Sequence, residues 1–483
     1  MGSKLKNFSL ISLGMIAGVA ASMQFSALAQ KNADNPLPLE ELRQLADVFG
    51  LIKSDYVEPV EDKKLLTEAI SGMVASLDPH SAYLDKKAYK ELREGTQGKF
   101  VGLGIEVGME DGYVKVISPI EDSPAYSAGI KAGDLITRLD ATPVKGMTLD
   151  QAVKKMRGEP NSKITLTIAR KDEDKPIIIT IVRQEIHVQS VKAKVVEPGY
   201  AWLRVAQFQE PTVVDLAKKI SDIYAQEPQL KGLVLDLRND PGGVLPGAIG
   251  VSAAFLPKDV TVVSTNGQLA DSKATFYAKR EFYSSRTSSD PLSKLPEAIK
   301  KVPMVILVNT GSASASEIVA GALQDYKRAT IIGTQTFGKG SVQTIRQLSA
   351  DTAVKLTTAR YYTPKGRSIQ ATGIVPDLMV EEYADGDGLN SLRLREADLQ
   401  KHLANGTEKQ ADSSKVKRDE LEEEQRIIAQ EKKRKPLEYG SKEDFQLAQA
   451  LNHLKGLPVK VSKAKPEARV DEAADAKKEG IKK

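Results

Sequence analysis

A run of five apolar residues, Met304–Val308, constrains the fold of this chain more than any other segment. A strand without polar alternation has to be buried on both faces, which is typical of a parallel sheet covered by helices. The run leads through a turn of small residues into a helical pattern whose apolar face is formed by Ile318, Val319, Ala322 and Leu323. Residues 233–237 form a second apolar run, interrupted only by Asp236. Strands and helices alternate from about 188 to 380, which predicts an α/β core.

The rest of the chain divides by pattern into segments of different kinds. At 483 residues it exceeds the size at which a single core stops growing, about 250–300 residues, so several domains are expected. Short strands, a hairpin signal at Asp111-Gly112 and one well-capped helix indicate a compact α+β domain before the core. The predicted fold class is therefore multidomain, α/β and α+β, with helical terminal segments. The predicted order is a signal segment at 1–29, a helical segment at 30–96, the compact domain at 97–187, the core at 188–380 with a loop or lid at about 265–300, a charged helical segment at 381–457 and a disordered tail at 458–483.

Both terminal segments carry apolar residues at helical spacing. In the C-terminal segment, Ser441 and Asp444 are expected to cap the helix. The residues of the N-terminal stripe are Leu42, Leu45, Ala46 and Phe49, and those of the C-terminal stripe are Leu447, Ala448, Leu451 and Leu454.

The first residues have the pattern of an export signal. Lys4 and Lys6 precede an apolar run at 8–21, and Ala-Leu-Ala at 27–29 is a cleavage site of small residues. The absence of cysteine suits an oxidising compartment, because no thiol remains to mispair. We therefore expect an exported, periplasmic protein. An uncleaved segment that keeps the protein associated with the membrane is the alternative.

Composition excludes several chemistries. Without cysteine the chain has no thiolate nucleophile and no cysteine-ligated metal site. Its four histidines include no HExxH pair, so we expect neither a metal nor another cofactor. The 69 basic and 64 acidic residues give a formal net charge of +5, which is too even to indicate a nucleic-acid partner.

A glycine-containing loop, Gly102-Leu103-Gly104-Ile105, opens the first strand of the compact domain. Such a loop turns successive backbone N–H groups into one concavity, which is a nest for a carboxylate. Together with residues 123–136 and a helix at 148–157, the loop resembles the PDZ fold. The pattern departs from the family only at Asp140-Ala141, where an Asp-Gly turn is usual. The resemblance implies that the loop binds the C-terminus of an extended protein chain, added as a strand.

The turn after the apolar run suits a serine nucleophile. Ser314 precedes a helix, where small neighbours let a substrate carbonyl approach and unpaired N–H groups stabilise negative charge. Lys339 lies between Gly338 and Gly340, and burial would lower the pKa of such a lysine toward the range in which it acts as a base.

Three alternatives remain open at this point. Gly333 to Lys339 fits the phosphate-binding pattern G-x-x-x-x-G-K, but Gly340 stands where Ser or Thr should bind magnesium. A Ser-His-Asp protease would need His80 or His187 as its base. The third alternative is a PDZ scaffold that carries an inactive protease domain.

Taken together, these motifs resemble the carboxyl-terminal processing protease family over about residues 40–380. The resemblance rests on the Ser-Ala-Ser-Ala-Ser…Glu motif around Ser314 and on Lys339, 25 residues later. It implies that Ser314 is the nucleophile, that Lys339 is its base and that Gln343 orients this lysine. It also implies a serine endopeptidase with a Ser-Lys dyad that processes or degrades periplasmic or envelope proteins.

The same resemblance implies further roles. The oxyanion donors would be the N–H groups of Ala315 and of Gly242 or Gly243. Arg157, at the end of the PDZ helix, would be a regulatory contact between this domain and the core. Self-association through the two terminal stripes is expected, and a periplasmic adaptor protein is a further partner that no residue indicates directly.

Overall fold

The computed structural model describes residues 38–120, 123–171, 173, 175–284, 289–384, 386, 393–405 and 437–462. The predicted signal segment, the charged stretch at 408–436 and most of the predicted tail lie outside the described residues. Within the described part of the chain, no helix is long and apolar enough to span a bilayer. The chain divides into two compact units, one up to Met73 and one from Val74 onward.

The first unit is built from two helices. Helix α1 spans Leu39–Asp55, and helix α2 spans Asp62–Ala75, of which the last two residues belong to the second unit. The predicted N-terminal stripe lies on α1, and no residue of this helix is buried. Leu42 and Leu45 are 45% and 51% exposed, so the stripe is open on the surface of the chain.

The second unit begins with a connecting region and a small domain of antiparallel strands. Its elements are β1 (Ala82–Leu84), α3 (Lys86–Gln97), β2 (Lys99–Gly102), β3 (Ile105–Glu110), β4 (Tyr113–Pro119), α4 (Pro124–Ser127), β5 (Leu135–Leu139), β6 (Thr142–Pro143), α5 (Leu149–Met156), β7 (Lys163–Ala169) and β8 (Ile177–Val182). The main sheet has the order β3-β4-β5-β7-β8, with β6 beside β5. It closes over a hydrophobic core of its own.

Local chemistry accounts for the elements of this domain. Asp111 and Gly112 both have positive φ, 51° and 79°, which suits the tight turn between β3 and β4. The helix predicted to be well capped is α5, and a capping box forms at its start. The Gln151 N–H donates to Thr148 Oγ1 at 3.2 Å, and the Thr148 N–H donates to Gln151 Oε1 at 2.9 Å.

An α/β core follows, as predicted. Strand β9 (Gln184–His187) pairs with β2, and the six strands of the core sheet are β10 (Val191–Glu197), β11 (Tyr200–Val205), β12 (Gly232–Asp236), β15 (Met304–Val308), β16 (Thr330–Gly333) and β19 (Leu378–Met379), in that order. Only β10 and β11 pair antiparallel; the other neighbours are parallel. The two apolar runs are the central strands β12 and β15, and every residue of both is buried.

Helices cover both faces of this sheet. Helices α6 (Thr212–Gln226), α7 (Leu245–Phe255) and α8 (Ala315–Asp325) lie on one face, and α9 (Phe445–Leu454) lies on the other. Side chains of one strand alternate between the two layers. In β15, Ile306 packs with the first layer, whereas Val305 and Leu307 pack with the second.

A separate antiparallel sheet stands beside the core. It contains β13 (Thr261–Gly267), β14 (Ala274–Tyr277), β17 (Ser341–Gln347) and β18 (Ala353–Tyr362). Strand β18 pairs with β1, β13 and β17, while β14 pairs with β13. The region predicted as a loop or lid at about 265–300 therefore includes a strand, because β14 completes the backbone hydrogen bonds of β13.

The region after residue 380 differs from the predicted charged helical segment. Residues 393–405 contain one short 3₁₀ turn, Glu396–Asp398, and no α-helix. The reason is tertiary, since the Glu396 side chain bonds to His80 and Gln370 of the core. The stretch at 408–436, whose alternating acidic and basic blocks suggest a solvated helix or a flexible linker, lies outside the described residues.

The C-terminal helix α9 forms as predicted. Its cap differs from the predicted one, and its apolar stripe packs mostly against the core. Asp444 alone caps it, accepting the N–H of Leu447 at 3.1 Å. Leu447 and Leu451 are buried against the core sheet. The C-terminal stripe is thus largely covered by the chain itself.

Arg238, directly after β12, is completely buried and joins α9 to the core. Its guanidinium lies 2.6 Å from Asp236 Oδ2 and 2.6 Å from Asp444 Oδ2. It also stacks on the ring of Tyr439, 4.4 Å from the centroid. A buried cation is tolerated only when it is paired and hydrogen-bonded, so the segment at 437–457 is part of the core.

We expect Asp444→Ala to lower the free energy of unfolding by about 3–5 kcal/mol, because it leaves a buried guanidinium short of one carboxylate. Urea unfolding followed by the fluorescence of Trp202, the single tryptophan, measures this loss of stability. Trp202 reports on the same buried cluster, because its Nε1 donates to Asp236 at 3.0 Å. Glu443→Ala, at an exposed neighbouring position, is the matched control. Equal destabilisation by both substitutions would contradict the prediction.

Candidate active site

Ser314 lies where β15 passes into α8, with φ 54° and ψ −110°. This backbone conformation is strained for a residue with a side chain and persists only where the surroundings enforce it. The two flanking serines supply that support. Ser312 Oγ donates to the Leu237 carbonyl at 2.8 Å, and Ser316 Oγ donates to the Asp240 carbonyl at 2.9 Å. Both are buried, whereas Ser314 is partly exposed.

The loop after β12 places two glycines next to this serine. A Cβ on Gly242 would lie 2.9 Å from both Ser314 Cβ and the Ala315 nitrogen, so only glycine fits there. The Gly242 N–H donates to Asp240 Oδ1 at 2.9 Å, and the Gly242 carbonyl accepts the N–H of Phe208. A trans peptide points its C=O and the next N–H in opposite directions. The Gly243 N–H therefore points away from Phe208.

Glu317 is the residue that joins the two halves of the site. Its buried carboxylate accepts the N–H of Ser314 at 2.7 Å and the N–H of Lys339 at 2.9 Å. It also accepts the Gly338 N–H at 2.6 Å and the Thr336 hydroxyl at 2.5 Å. Burial raises the pKa of this carboxyl to about 7, although the four hydrogen bonds oppose the rise.

Lys339 follows this contact in the loop before β17. Burial lowers the pKa of its ammonium, and the positive charge of Lys355 lowers it further. The carboxylates of Glu396, Glu317 and Asp78 act in the opposite direction. No hydrogen bond joins Lys339 Nζ to Ser314 Oγ in this structure, although Glu317 holds the two backbones together.

Gln343 lies on β17, with its side-chain nitrogen turned to hydroxyl groups. Its Nε2 donates to Ser341 Oγ at 3.0 Å and to Thr357 Oγ1 at 3.3 Å. No hydrogen bond connects Gln343 to Lys339 among the described residues. Because both contacts use the amide nitrogen, the amide oxygen is left to accept from another group.

The alternative of a phosphate-binding loop fails on topology. Such a loop must be followed by a helix, whose N-terminal N–H groups bind the phosphate. Here Gly338 and Lys339 are followed by strand β17, which begins at Ser341.

Neither histidine proposed for a Ser-His-Asp site contacts the serine. His80 Nε2 lies 2.7 Å from Glu396 Oε2, and His187 is 71% exposed beside Glu185. Among the described residues, no hydrogen bond connects either imidazole to Ser314.

The predicted carboxylate loop has its backbone carbonyls directed into the small domain. The Leu103 carbonyl accepts the N–H of Ala125 at 3.0 Å, and the Gly104 carbonyl accepts the N–H of Ile120 at 2.8 Å. The N–H groups of Gly104 and Ile105 therefore point the opposite way, out of the domain. Strand β3, which follows the loop, pairs only with β4 and is an edge strand open to an added strand.

Arg157 ends α5 and reaches out of its own domain. Its guanidinium lies 2.8 Å from the Glu94 carboxylate on α3 and 5.0 Å from the centroid of the Phe100 ring. These contacts join the small domain to the helix that precedes it, whereas the predicted contact was with the core.

Comparisons with known proteins identify the family of this chain. The family model described as Peptidase family S41 matches residues 199–380, a PDZ domain model matches 101–181, and an Activating protease CtpB N-terminal domain model matches 11–88. A carboxy-terminal-processing protease of Bartonella bacilliformis is 47% identical over 371 residues, which cover 76% of this chain and 82% of that protein. The chain belongs to the carboxyl-terminal processing protease family.

Other members of the carboxyl-terminal processing protease family match more distantly. A probable CtpA-like serine protease of Staphylococcus aureus is 37% identical over 374 residues, covering 77% of this chain and 71% of that protein. Among solved structures, a photosystem II D1 C-terminal processing protease is 31% identical with a TM-score of 0.39, covering 67% of this chain and 84% of that one. The Peptidase family S41 and PDZ domain models, together with the relative of 47% identity, show that the protein is a serine-type peptidase with a PDZ domain.

Sequence reasoning assigned no role to Glu317, Glu396 or Asp240. Glu317 had a local signal, because Ser-x-x-Glu at 314–317 is a capping-box pattern at the start of α8. Glu396 and Asp240 had none, since their partners lie elsewhere in the chain or in a loop without periodicity.

We expect Glu317→Gln to lower kcat roughly a hundredfold, because an amide presents one acceptor oxygen where four donors converge and turns an NH₂ group toward backbone N–H groups. Steady-state hydrolysis of a fluorogenic peptide measures it. Glu297→Gln, an exposed position of the same residue type, should leave kcat unchanged. Wild-type turnover in Glu317→Gln would show that this carboxylate does not organise the site.

Proposed function

We propose that this protein is an exported serine endopeptidase that binds the C-terminal end of protein substrates through its PDZ domain and cleaves them with a Ser314-Lys339 dyad. The observation that carries the proposal is the shared carboxylate of Glu317, which bonds to the backbone of both residues. Two further observations support the proposal. Ser314 has the strained backbone expected of a nucleophile on a tight turn, and Lys339 is largely buried.

In the proposed reaction, neutral Lys339 accepts the hydroxyl proton of Ser314 as Oγ attacks the scissile carbonyl. The acyl-enzyme that forms is then hydrolysed by water, with the lysine acting as general acid and base in turn. Burial favours the neutral amine, which lowers the pH at which the base is available. The free amide oxygen of Gln343 is the group that we assign to orienting the lysine.

The oxyanion is bound, in this proposal, by the N–H groups of Ala315 and Gly243. Ala315 is the first residue of α8, where backbone N–H groups have no partner within the helix. Of the two glycines, Gly242 already donates to Asp240, whereas the Gly243 N–H points away from Phe208. This favours Gly243 as the donor and gives Gly242 the role of leaving room for the substrate.

Substrate delivery belongs to the PDZ domain in this proposal. The exposed N–H groups of Gly104 and Ile105 bind the terminal carboxylate, and the substrate chain adds to the open edge of β3. Apolar C-terminal residues of the substrate would contact Ile105, Val107, Leu149 and Val153, which are partly buried against the same hydrophobic cluster.

Location and assembly extend the proposal beyond the described residues. The export signal pattern at 1–29 supports a periplasmic enzyme acting on envelope proteins, with membrane association if the segment is retained. The N-terminal stripe on α1 is the surface that we assign to self-association, because it is exposed while the C-terminal stripe is mostly covered. An adaptor protein would have to use another surface.

A direct test uses an unfolded peptide with a free apolar C-terminus. We expect Ser314→Ala and Lys339→Ala each to lower kcat by about four orders of magnitude with the peptide still bound. Lys339→Arg should be equally inactive, because a guanidinium stays protonated. His187→Ala is the control, since this side chain is exposed. Retained hydrolysis in Lys339→Ala would remove the dyad.

Arg157 is proposed to couple peptide binding to the core. We expect the hydrolysis of a short reporter to respond to an added C-terminal peptide in the wild type and not in Arg157→Ala. The basal rate should change less than about fivefold, because a partly exposed ion pair contributes about 1 kcal/mol or less. Lys154→Ala, on the exposed side of α5, is the control. A peptide response that persists in Arg157→Ala would contradict the coupling.

A further inference from the structure

Residues 78–81, Asp-Pro-His-Ser, lie beside the active site although they belong to the N-terminal side of the PDZ domain. Asp78 accepts the N–H and the hydroxyl of Ser81, at 2.9 Å and 2.7 Å, which closes a tight turn. Asp78 also accepts the hydroxyl of Thr357 at 3.1 Å. Thr357 Oγ1 in turn accepts a hydrogen bond from Gln343 Nε2 at 3.3 Å. One series of contacts from this turn, its first arm, therefore ends on Gln343, a predicted catalytic residue.

A second arm of the same turn ends on the lysine loop. His80 Nε2 lies 2.7 Å from Glu396 Oε2, and the other oxygen of Glu396 accepts Gln370 Nε2 at 2.9 Å. Gln370 Oε1 accepts the N–H of Gly340, the residue after Lys339, at 3.1 Å. His80 and Glu396 are 316 positions apart in the sequence. Through Glu396 and Gln370, hydrogen bonds connect the His80 imidazole to the backbone next to Lys339.

This second arm is buried and keeps its charge. Glu396 and Gln370 are completely buried, and the His80 side chain is 14% exposed. Burial by itself would raise the pKa of Glu396, but hydrogen bonds from His80 and Gln370, together with the positive charge of Lys339, outweigh it and lower the pKa. Burying an anion costs free energy, whereas neutral amides could hold the loop without burying a charge. A contact that only held the loop in place would therefore not need a carboxylate.

The retained charge acts on the lysine. Apart from burial, which lowers the Lys339 pKa most, the charged groups that face this ammonium are Lys355, Glu396, Glu317 and Asp78. Lys355 lowers the pKa, and the three carboxylates raise it. Of the three carboxylates, that of Glu396 is the one that contacts a histidine, His80. Through Gln370, Glu396 also fixes the backbone of Gly340, next to the lysine.

We propose that His80 and Glu396 form a positioning pair for the base: they hold the Lys339 loop through Gln370, and Glu396 places a buried negative charge beside that loop. The inference rests on the proposed function, because it takes Lys339 to be the base. His80 is then not a base for Ser314. It acts on the reaction through Glu396 and the loop.

Glu396→Gln separates charge from shape. Glutamine keeps an oxygen for Gln370, and its NH₂ donates to His80 Nε2 once the neutral imidazole carries its proton on Nδ1, so that the negative charge is lost without a loss of volume. Removing an anion near an ammonium lowers its pKa. We therefore expect the acid limb of the pH profile of kcat/KM to move to lower pH by roughly half a unit to one unit. Asp398→Asn, an exposed carboxylate of the same turn, is the matched control and should not move it.

His80 is tested by loss and rescue. His80→Ala removes the partner of Glu396, and we expect kcat to fall roughly tenfold with KM unchanged, as the loop loses its support. His80→Gln can still donate to Glu396 and should restore most of this loss. The rate at which a fluorophosphonate modifies Ser314, measured against pH for each variant, reports the base without the PDZ domain or peptide binding.

The outcomes distinguish this inference from the dyad itself. If Lys339→Ala is inactive but Glu396→Gln follows the wild-type pH profile, the pair does not tune the base and only this inference fails. If Lys339→Ala stays active, the proposed function fails first. Loss of folded protein in Glu396→Gln also counts against the inference, because that substitution removes charge and no packing volume. A shifted limb with wild-type melting temperature supports it.

Discussion

The geometry of the active site depends on one buried carboxylate, that of Glu317. The strained serine turn and the irregular lysine loop share one direct backbone hydrogen bond, from the Phe337 N–H to the Ser312 carbonyl at 3.0 Å. Glu317 joins Ser314 to Lys339 themselves, since donors from both segments converge on its two oxygens. The cost of burying this anion is offset by four hydrogen bonds, and its raised pKa shows how closely the two are balanced.

Sequence patterns predicted those parts of the fold that are determined locally. The apolar run at Met304–Val308 could only be a doubly buried strand, and Thr148 with Gln151 specified the start of a helix through backbone contacts three residues away. The turn around Ser314 belongs to the same class, because small residues between a strand and a helix leave few conformations. In each case the interactions that decide the structure fall within one short window of sequence.

The remaining features arise from pairs that are distant in sequence. Glu396 lies in the segment at 381–457 that is predicted as charged and helical, yet its side chain is drawn into the core by His80. Arg238 and Asp444 are 206 residues apart and meet in a fully buried ion pair. Neither partner carries a local signal of the other, because a single sequence contains no measure of spatial proximity. The contacts of Glu396 with the site therefore could not be read from the charged composition around it.

The contact between Arg238 and Asp444 has a consequence for the order in which the enzyme matures. Arg238 precedes the glycine loop at 242–243 by only a few residues, and its second carboxylate is supplied near the end of the described chain. During synthesis the nascent polypeptide passes through lengths at which the nucleophile already exists and this support does not. A core that lacks the residues around Asp444 is therefore left with a buried guanidinium short of one carboxylate.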